Sequence, residues 1–389
     1  MGMILDLIYI SVVITCLVYL FILFQHSKDE WETIDFKDEK LPFVSIIVPT
    51  LEEEINIEKC LDSLEKLDYP KMEIIVVDGG SKDKTVELAR KFDIKLIVDS
   101  ALPENWIGKS YGCHLGFQAA KGDILLFTDA DTFHTPKSLR TTVMHTLSTE
   151  AKLFSMMPYQ KAEKWYEYLL SYLYFLSFIA TGPTDDINNP YNKNSYLGIG
   201  QYMMFTREGY NEIGGHMAVI NSLVDDLALA KLCKEKELKL SFISSTSLVT
   251  TRMYPSGFSD FFHGFKKSIS GGVLTVVPWR LLFIVLWLVY FVLAPYFMVN
   301  SFFIHDSWFI WDYTIGIIVN ISLYLVYAFT IYWYWRKKGD LKLYFVLFYP
   351  ITMIVNFIVI ALGIYAGFRG SKVKWKTRYY STKQSHSRR

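Results

Sequence analysis

Two aspartates stand two positions apart in KGDILLFTDADTFHTPKSL, Lys121 to Leu139: Asp129 and Asp131, separated by Ala130. Carboxylates so spaced offer hard oxygen donors to a divalent cation such as Mg²⁺ or Mn²⁺. They follow Ile124 to Phe127, a short apolar run flanked by Gly122-Asp123, which predicts a buried strand of an α/β sheet. Open α/β sheets place their ligands at the carboxyl ends of such strands. A second acidic pair, Asp225-Asp226, opens a predicted amphipathic helix bearing Leu227, Leu229, Ala230, Leu232 and Cys233. A carboxylate there can serve as a general base towards a hydroxyl. Acids at a helix start also complement its dipole, and that reading suits Asp225 better. Lys109, beside Gly108 at the start of the predicted helix Ser110 to Ala120, suits a diphosphate together with the helix N-terminus. The upstream glycine of a Walker P-loop is missing, and Pro103 to Asn105 stand there instead.

The elements that must hold these groups alternate along the chain. FVSIIV (Phe43 to Val48), MEIIVV (Met72 to Val77) and Ile94 to Val98 predict strands, and Glu52 to Leu67 and Asp83 to Phe92 predict helices between them. Strand and helix in alternation, with strands apolar on both faces, predict a mostly parallel central sheet flanked by helices. Right-handed crossovers bring the carboxyl ends of such strands to one rim. That rim carries Thr50, Glu52 and Glu53 after the first strand, Asp78 after the second, and Asp129 and Asp131. Unpaired carboxylates repel, so a bound cation would relieve the cluster. Asp78 also suits a turn cap before Ser81.

PTLEEEINI, VVDGGSKDKTVELA and LLFTDADT, in this order and spacing, resemble the nucleotide-binding half of family 2 glycosyltransferases with the GT-A fold, and the likeness continues through GQYMMFTREGYNEIGGH and VDDLALAKLCKEK. It covers roughly residues 43 to 270. One departure is Glu52, which stands where the family commonly has Asn. The resemblance implies a UDP-sugar donor, with Thr50, Glu53, Asp78 and Asp129 at the nucleoside and Lys109 at the diphosphate. It further implies Asp131 and Asp129 at the metal and Asp226 as the base. His216, in the loop beside the acceptor site, would touch phosphate or metal, although a lone histidine is more often structural; Asp225 and Lys266 join it as candidates for the acceptor or diphosphate. The N-W-x-G-K-x-x-x-C pattern around Lys109 is similar to that of members that glycosylate carotenoid and hopanoid lipids.

The rest of the chain reads as membrane. In 389 residues of formal net charge +1, nothing global points to nucleic acid. Residues 1–25 contain an apolar run long enough to span a bilayer, without the basic n-region or cleavage site of a signal peptide. A charged linker (26–42) leads into a catalytic domain (43–255), within which 165–181 is aromatic-rich and suits an interfacial or a buried helix. Residues 256–279 alternate aromatics with Lys266-Lys267, as a basic interfacial segment does, residues 280–368 hold further transmembrane runs, and 369–389 form a basic tail. Arg336 to Lys338 and Lys28 favour a cytoplasmic catalytic domain, whereas three full spans after the domain would put the tail outside. Pro350 interrupts the last run, and VKWKTRYY is similar to the cytosolic ending of carotenoid glycosyltransferases, with Thr377 in place of a glycine. Cys16, Cys60, Cys113 and Cys233 lack paired spacing and are expected to be buried thiols.

The expectation is thus a multi-pass membrane glycosyltransferase that moves a hexose from a UDP-sugar to a membrane lipid, with Mg²⁺ or Mn²⁺. The Q-x-x-R-W motif of processive polysaccharide synthases is absent, GFKKS standing in its region. That synthase and a non-catalytic nucleotide- or lipid-binding membrane protein remain the alternatives. Neither the lipid nor the oligomeric state is legible.

Overall fold

The computed structural model describes residues 2–27, 29, 31, 37–244, 246–272, 277–303, 313–369, 372–375 and 378–381. Lys28, parts of the 26–42 linker and of the 256–279 segment, and most of the basic tail lie outside these. Twelve strands are described: β1 Val44–Thr50, β2 Met72–Asp78, β3 Lys95–Val98, β4 Ile124–Phe127, β5 Thr132–His134, β6 Leu153–Met156, β7 Tyr159–Gln160, β8 Met203–Thr206, β9 Leu240–Ile243, β10 Val249–Thr251, β11 Lys372–Trp375 and β12 Arg378–Ser381. The helices are α1 Gly2–Gln25, α2 Ile57–Glu65, α3 Thr85–Ala89, α4 Gly108–Ala119, α5 Ser138–Ser148, α6 Leu170–Thr181, α7 Thr184–Asn188, α8 Arg207–Glu212, α9 Asp225–Glu235, α10 Phe258–Gly272, α11 Pro278–Phe303, α12 Tyr313–Trp335, α13 Leu343–Leu347 and α14 Tyr349–Arg369.

Seven strands form the central sheet in the order β3-β2-β1-β4-β8-β6-β9. β1 pairs in parallel with β2 and β4, β2 with β3, and β6 with β9, while β8 runs antiparallel to both neighbours. The predicted mostly parallel sheet is therefore present. β1, β2 and β4 are apolar on both faces because helices cover both: Ile46, Val48, Ile74, Val76 and Leu126 pack with Ile57, Cys60, Leu61 and Leu64 of α2, and Ile47, Leu125 and Phe127 join the core on the opposite side. Gly116 of α4 lets that helix approach β1, since a Cβ there would meet Ile47 Cγ2 at 2.4 Å. All four cysteines are buried free thiols.

Among the described residues three helices are long and apolar enough to cross a membrane, over Leu7–Gln25, Pro278–Phe303 and Thr314–Trp335. The last apolar run is not one rod. It breaks at Phe348 into α13 and α14, two residues before the helix-disfavouring Pro350, and α14 packs along α10. α6 is buried instead of lying in a membrane plane: Phe175 sits 4.9 Å from Trp287 of α11 and 5.1 Å from Tyr334 of α12, measured between ring centroids. The interfacial helix expected over 165–181 is instead buried, and α6 joins the catalytic domain to α11 and α12, which are long and apolar enough to span.

Hydrogen bonds make this junction stiff. After α12 the chain returns to β7, where the Gln160 N–H donates to Lys338 O at 2.8 Å and the Asp340 N–H to Gln160 O at 2.9 Å. Lys338 Nζ donates to Ser244 O at 2.8 Å, and the Ser244 hydroxyl donates to Asp29 at 2.9 Å. At the start of α11 the buried Arg280 donates to the Thr181 and Asn194 carbonyls and to Ser195 Oγ, clamping the 182–195 loop.

Candidate active site

The carboxyl ends of β1, β2 and β4 do meet on one rim. Asp129 and Asp131 follow β4; Lys109 enters from the first turn of α4 and pairs with both oxygens of Asp129, at 2.6 and 2.8 Å. Burial opposes the Lys109 charge, but Asp129, Asp225 and Asp226 outweigh it and hold the ammonium above the usual lysine range. Lys109 therefore stays a cation in the centre of the acids.

α9 brings the second acidic pair to the same point. Asp226 accepts from the Gly200 N–H at 2.9 Å and from the Leu227 N–H at 2.8 Å. Burial and the neighbouring Asp225 raise its carboxyl above the ordinary range, with Lys109 opposing. Asp225 goes the other way: burial resists its ionisation, yet Lys109, His216 and Lys267 together lower it. The two acids are thus pushed apart, and Asp226 is the more basic of the pair. A Cβ at Gly200 would lie 2.7 Å from Lys109 Nζ and 3.2 Å from Asp226 Oδ2, so these side chains would have to shift to admit it. The Thr128 hydroxyl donates to Gln201 O at 2.8 Å, tying the end of β4 to the same turn.

Several expected residues take other positions. Asp78 is buried, and its oxygens accept from Thr50 Oγ1 (3.2 Å), Gly80 N (2.9 Å), Ser81 N (2.8 Å) and Ser81 Oγ (2.5 Å). It caps the turn, and Gly79 lines the cavity in its place. Glu53 does line the cavity, with Asn56 Nδ2 donating to it at 3.0 Å, and so does Thr50. Glu52 sits at φ 55°, a left-handed conformation that Asn tolerates better than most residues, which accounts for the residue the family prefers there. His216 does not reach the cavity. It lies 3 % exposed behind Asp225, with Nδ1 2.7 Å from the Tyr210 hydroxyl and Nε2 3.8 Å from Asp225. Burial lowers it to about 4, so it is neutral, and its hydrogen-bond partner is the Tyr210 hydroxyl. Lys266 does not line the cavity either; its neighbour Lys267 does. The sequence signal for Lys267 was the basic pair itself, whose helical phase is set only by packing.

One cavity of about 720 Å³ collects these groups. Its polar end holds Glu53, Lys109, Asp129, Asp131, Asp225 and Asp226, and its other walls include Leu281, Ile284, Val285 and Leu288 of α11 with Ile360 and Ile364 of α14. Among the described residues no three His, Cys, Asp or Glu side chains group closely enough to cage a metal. Asp129 and Asp131 would supply hard oxygen donors of the kind a divalent ion takes, with Lys109 paired to Asp129 beside them.

Residues 45–214 match the family model described as Glycosyl transferase family 2. The 4,4'-diaponeurosporenoate glycosyltransferase of Staphylococcus haemolyticus (strain JCSC1435) is 28% identical over 250 residues, 63% of this chain and 66% of that protein. Its counterpart of the same name in Staphylococcus aureus (strain USA300) is 24% identical over 353 residues, 90% of each. Among solved structures, a mannosyltransferase from Pyrobaculum calidifontis, in complex with GDP-Man and Mn²⁺, superposes with a TM-score of 0.57 at 15% identity, covering 95% of this chain and 99% of that one. The last likeness establishes architecture alone. Together with the motif-bearing rim, these matches show a family 2 glycosyltransferase domain over residues 45–214, on the GT-A fold.

Proposed function

We propose that the protein transfers a hexose from a UDP-sugar, with inversion, to the head of a membrane lipid, its catalytic domain facing the cytoplasm. The observation that carries this reading is the continuity of the cavity, from the acids of the strand rim to the apolar faces of α11 and α14. Apolar walls fit an alkyl or isoprenoid chain and exclude a hydrated polymer, which favours single transfer over processive synthesis. The names of the staphylococcal relatives, which denote enzymes acting on a carotenoid acid, support a lipid acceptor.

Glu53 and Thr50, with the turn built by Asp78, hold the nucleoside. Asp131 and Asp129 would hold Mg²⁺ or Mn²⁺, which neutralises charge on the departing nucleoside diphosphate when bound. Lys109 adds a fixed cation beside them. Asp226 stands at the acceptor side, where it removes the proton of a hydroxyl nucleophile or orients one that is already an anion.

The full-length protein in lipid vesicles, given UDP-glucose and a polyisoprenol, tests this. Wild type is expected to form a glycolipid with one sugar, and Asp226→Asn to bind UDP normally while losing roughly 10²–10⁴-fold in transfer to the alcohol. Undiminished transfer by the variant would remove Asp226 from the mechanism, and long polymer in the product would favour the synthase.

A further inference from the structure

Two lysines line the cavity, and they enter from opposite walls. Lys109 comes from the catalytic sheet side and is committed to Asp129. Lys267 comes from α10, whose Ser259, Asp260, His263, Gly264, Lys267 and Ser268 all line the cavity. Their spacing of four places them on one helical face, a polar stripe turned towards the acids. The helix packs on α14, whose Ile360 and Ile364 form part of the apolar wall. Lys267 thus lines the same cavity as the acids and as the apolar side chains of α14. Burial, and then Lys109, lower it below the usual lysine range against the opposing pull of Asp225, Asp226 and Asp129, so it shares a field with the reacting end.

We propose that Lys267 is a specificity-determining residue of the acceptor site, selecting a lipid whose head is an oxygen anion, a carboxylate or a phosphate, over the corresponding alcohol. The proposal rests on the glycosyltransferase reading above. A cation at the inner end of an apolar passage pairs with the head of an anionic amphiphile whose chain fills the passage. It also offsets the repulsion such a head would meet from Asp225 and Asp226. The bond changes are simple: the anionic oxygen attacks the anomeric carbon, a new carbon–oxygen bond forms, and the bond to the diphosphate breaks with its electron pair leaving on the nucleoside diphosphate. No proton moves. For such an acceptor Asp226 orients the nucleophile and removes nothing from it.

The test uses full-length protein in phosphatidylcholine vesicles, UDP-glucose, and three acceptors of equal chain length: a polyisoprenoid carboxylic acid, a polyisoprenyl phosphate and a polyisoprenol. Wild type is expected to favour an anionic acceptor over the alcohol by at least about tenfold in kcat/KM, and whichever anion wins names the source. Lys267→Met is expected to raise the KM for that acceptor about tenfold or more, leaving UDP affinity within about twofold; Lys267→Arg restores binding, and Lys266→Met changes neither. A wild-type preference for the alcohol overturns the proposal. So does a Lys267→Met protein with unchanged acceptor KM, or one whose UDP affinity falls as far as its acceptor affinity, since Lys267 would then serve the donor. If wild type neither binds UDP nor glycosylates any of the three, the glycosyltransferase reading itself fails, and this inference with it.

Discussion

Burial sets the charge state of two histidines near the site, and their effect on stability can be measured. His216 is lowered to about 4 and His134 to about 3, both chiefly by burial, against an ordinary value of 6.5. Between pH 6.5 and these values the unfolded chain takes up protons that the folded one refuses, so stability is full above the unfolded value and falls with falling pH. Each histidine contributes a slope of up to about 1.4 kcal/mol per pH unit in that window. Thermal unfolding of the purified protein between pH 7 and 4 should therefore show a falling Tm, and His216→Gln should flatten the profile between 6.5 and 4. An unchanged slope would mean that His216 is protonated in the fold. The types and order of Glu53, Lys109, Asp129, Asp131 and Asp226 made them legible in the sequence, because the chemistry of a sugar nucleotide asks for those groups at strand ends and helix starts. Asp78, His216 and Lys266 were harder to place. The direction a side chain takes from a turn or helix depends on what packs around it, so Asp78 turned inward to its own loop, His216 behind Asp225, and Lys267 rather than Lys266 into the cavity.

Among the elements, the turn Gly198 to Gln201 matters most, since it joins β4 to the acids of α9. Gly200→Ala would push a methyl against Lys109 Nζ and Asp226 Oδ2. Displacements of this size near reacting groups typically cost about 10²-fold in rate, whereas overpacking costs about 1–3 kcal/mol in stability. A folded Gly200→Ala protein with wild-type transfer would show that Lys109 and Asp226 move apart freely. The alternation of strand and helix was readable because each strand is apolar on both faces. The setting of α6 was not: an aromatic helix buried between a domain and membrane helices has the same composition as one lying at an interface. Pro350 correctly marked a break in the last apolar run, although the helix ends at Phe348 and resumes at once.

For the whole molecule, the hydrogen bonds between β7 and the residues after α12 keep the returning end of the α11–α12 hairpin beside the catalytic domain. The strand β11 also rests against α10. The sequence left a conflict between three spans after the domain and a cytosolic tail. Two spans, with α14 packed along α10 outside the bilayer, would remove it. A reporter fused to the carboxyl terminus should thus lie on the same side of the membrane as the catalytic domain, and one inserted between α11 and α12 on the opposite side; the reverse pattern would make α14 a span.

The cavity shares its apolar wall with α11, one of the three helices long enough to span. Drawing a twenty-carbon chain into water would cost on the order of 16 kcal/mol, at about 0.8 kcal/mol per methylene. On the proposed function, a passage walled by such a helix would spare a lipid acceptor that step. The concentration that governs turnover is then the acceptor's mole fraction within the membrane plane: diluting it with inert phospholipid at constant total acceptor should slow the reaction, and diluting the whole vesicle suspension with buffer should not change the rate per enzyme.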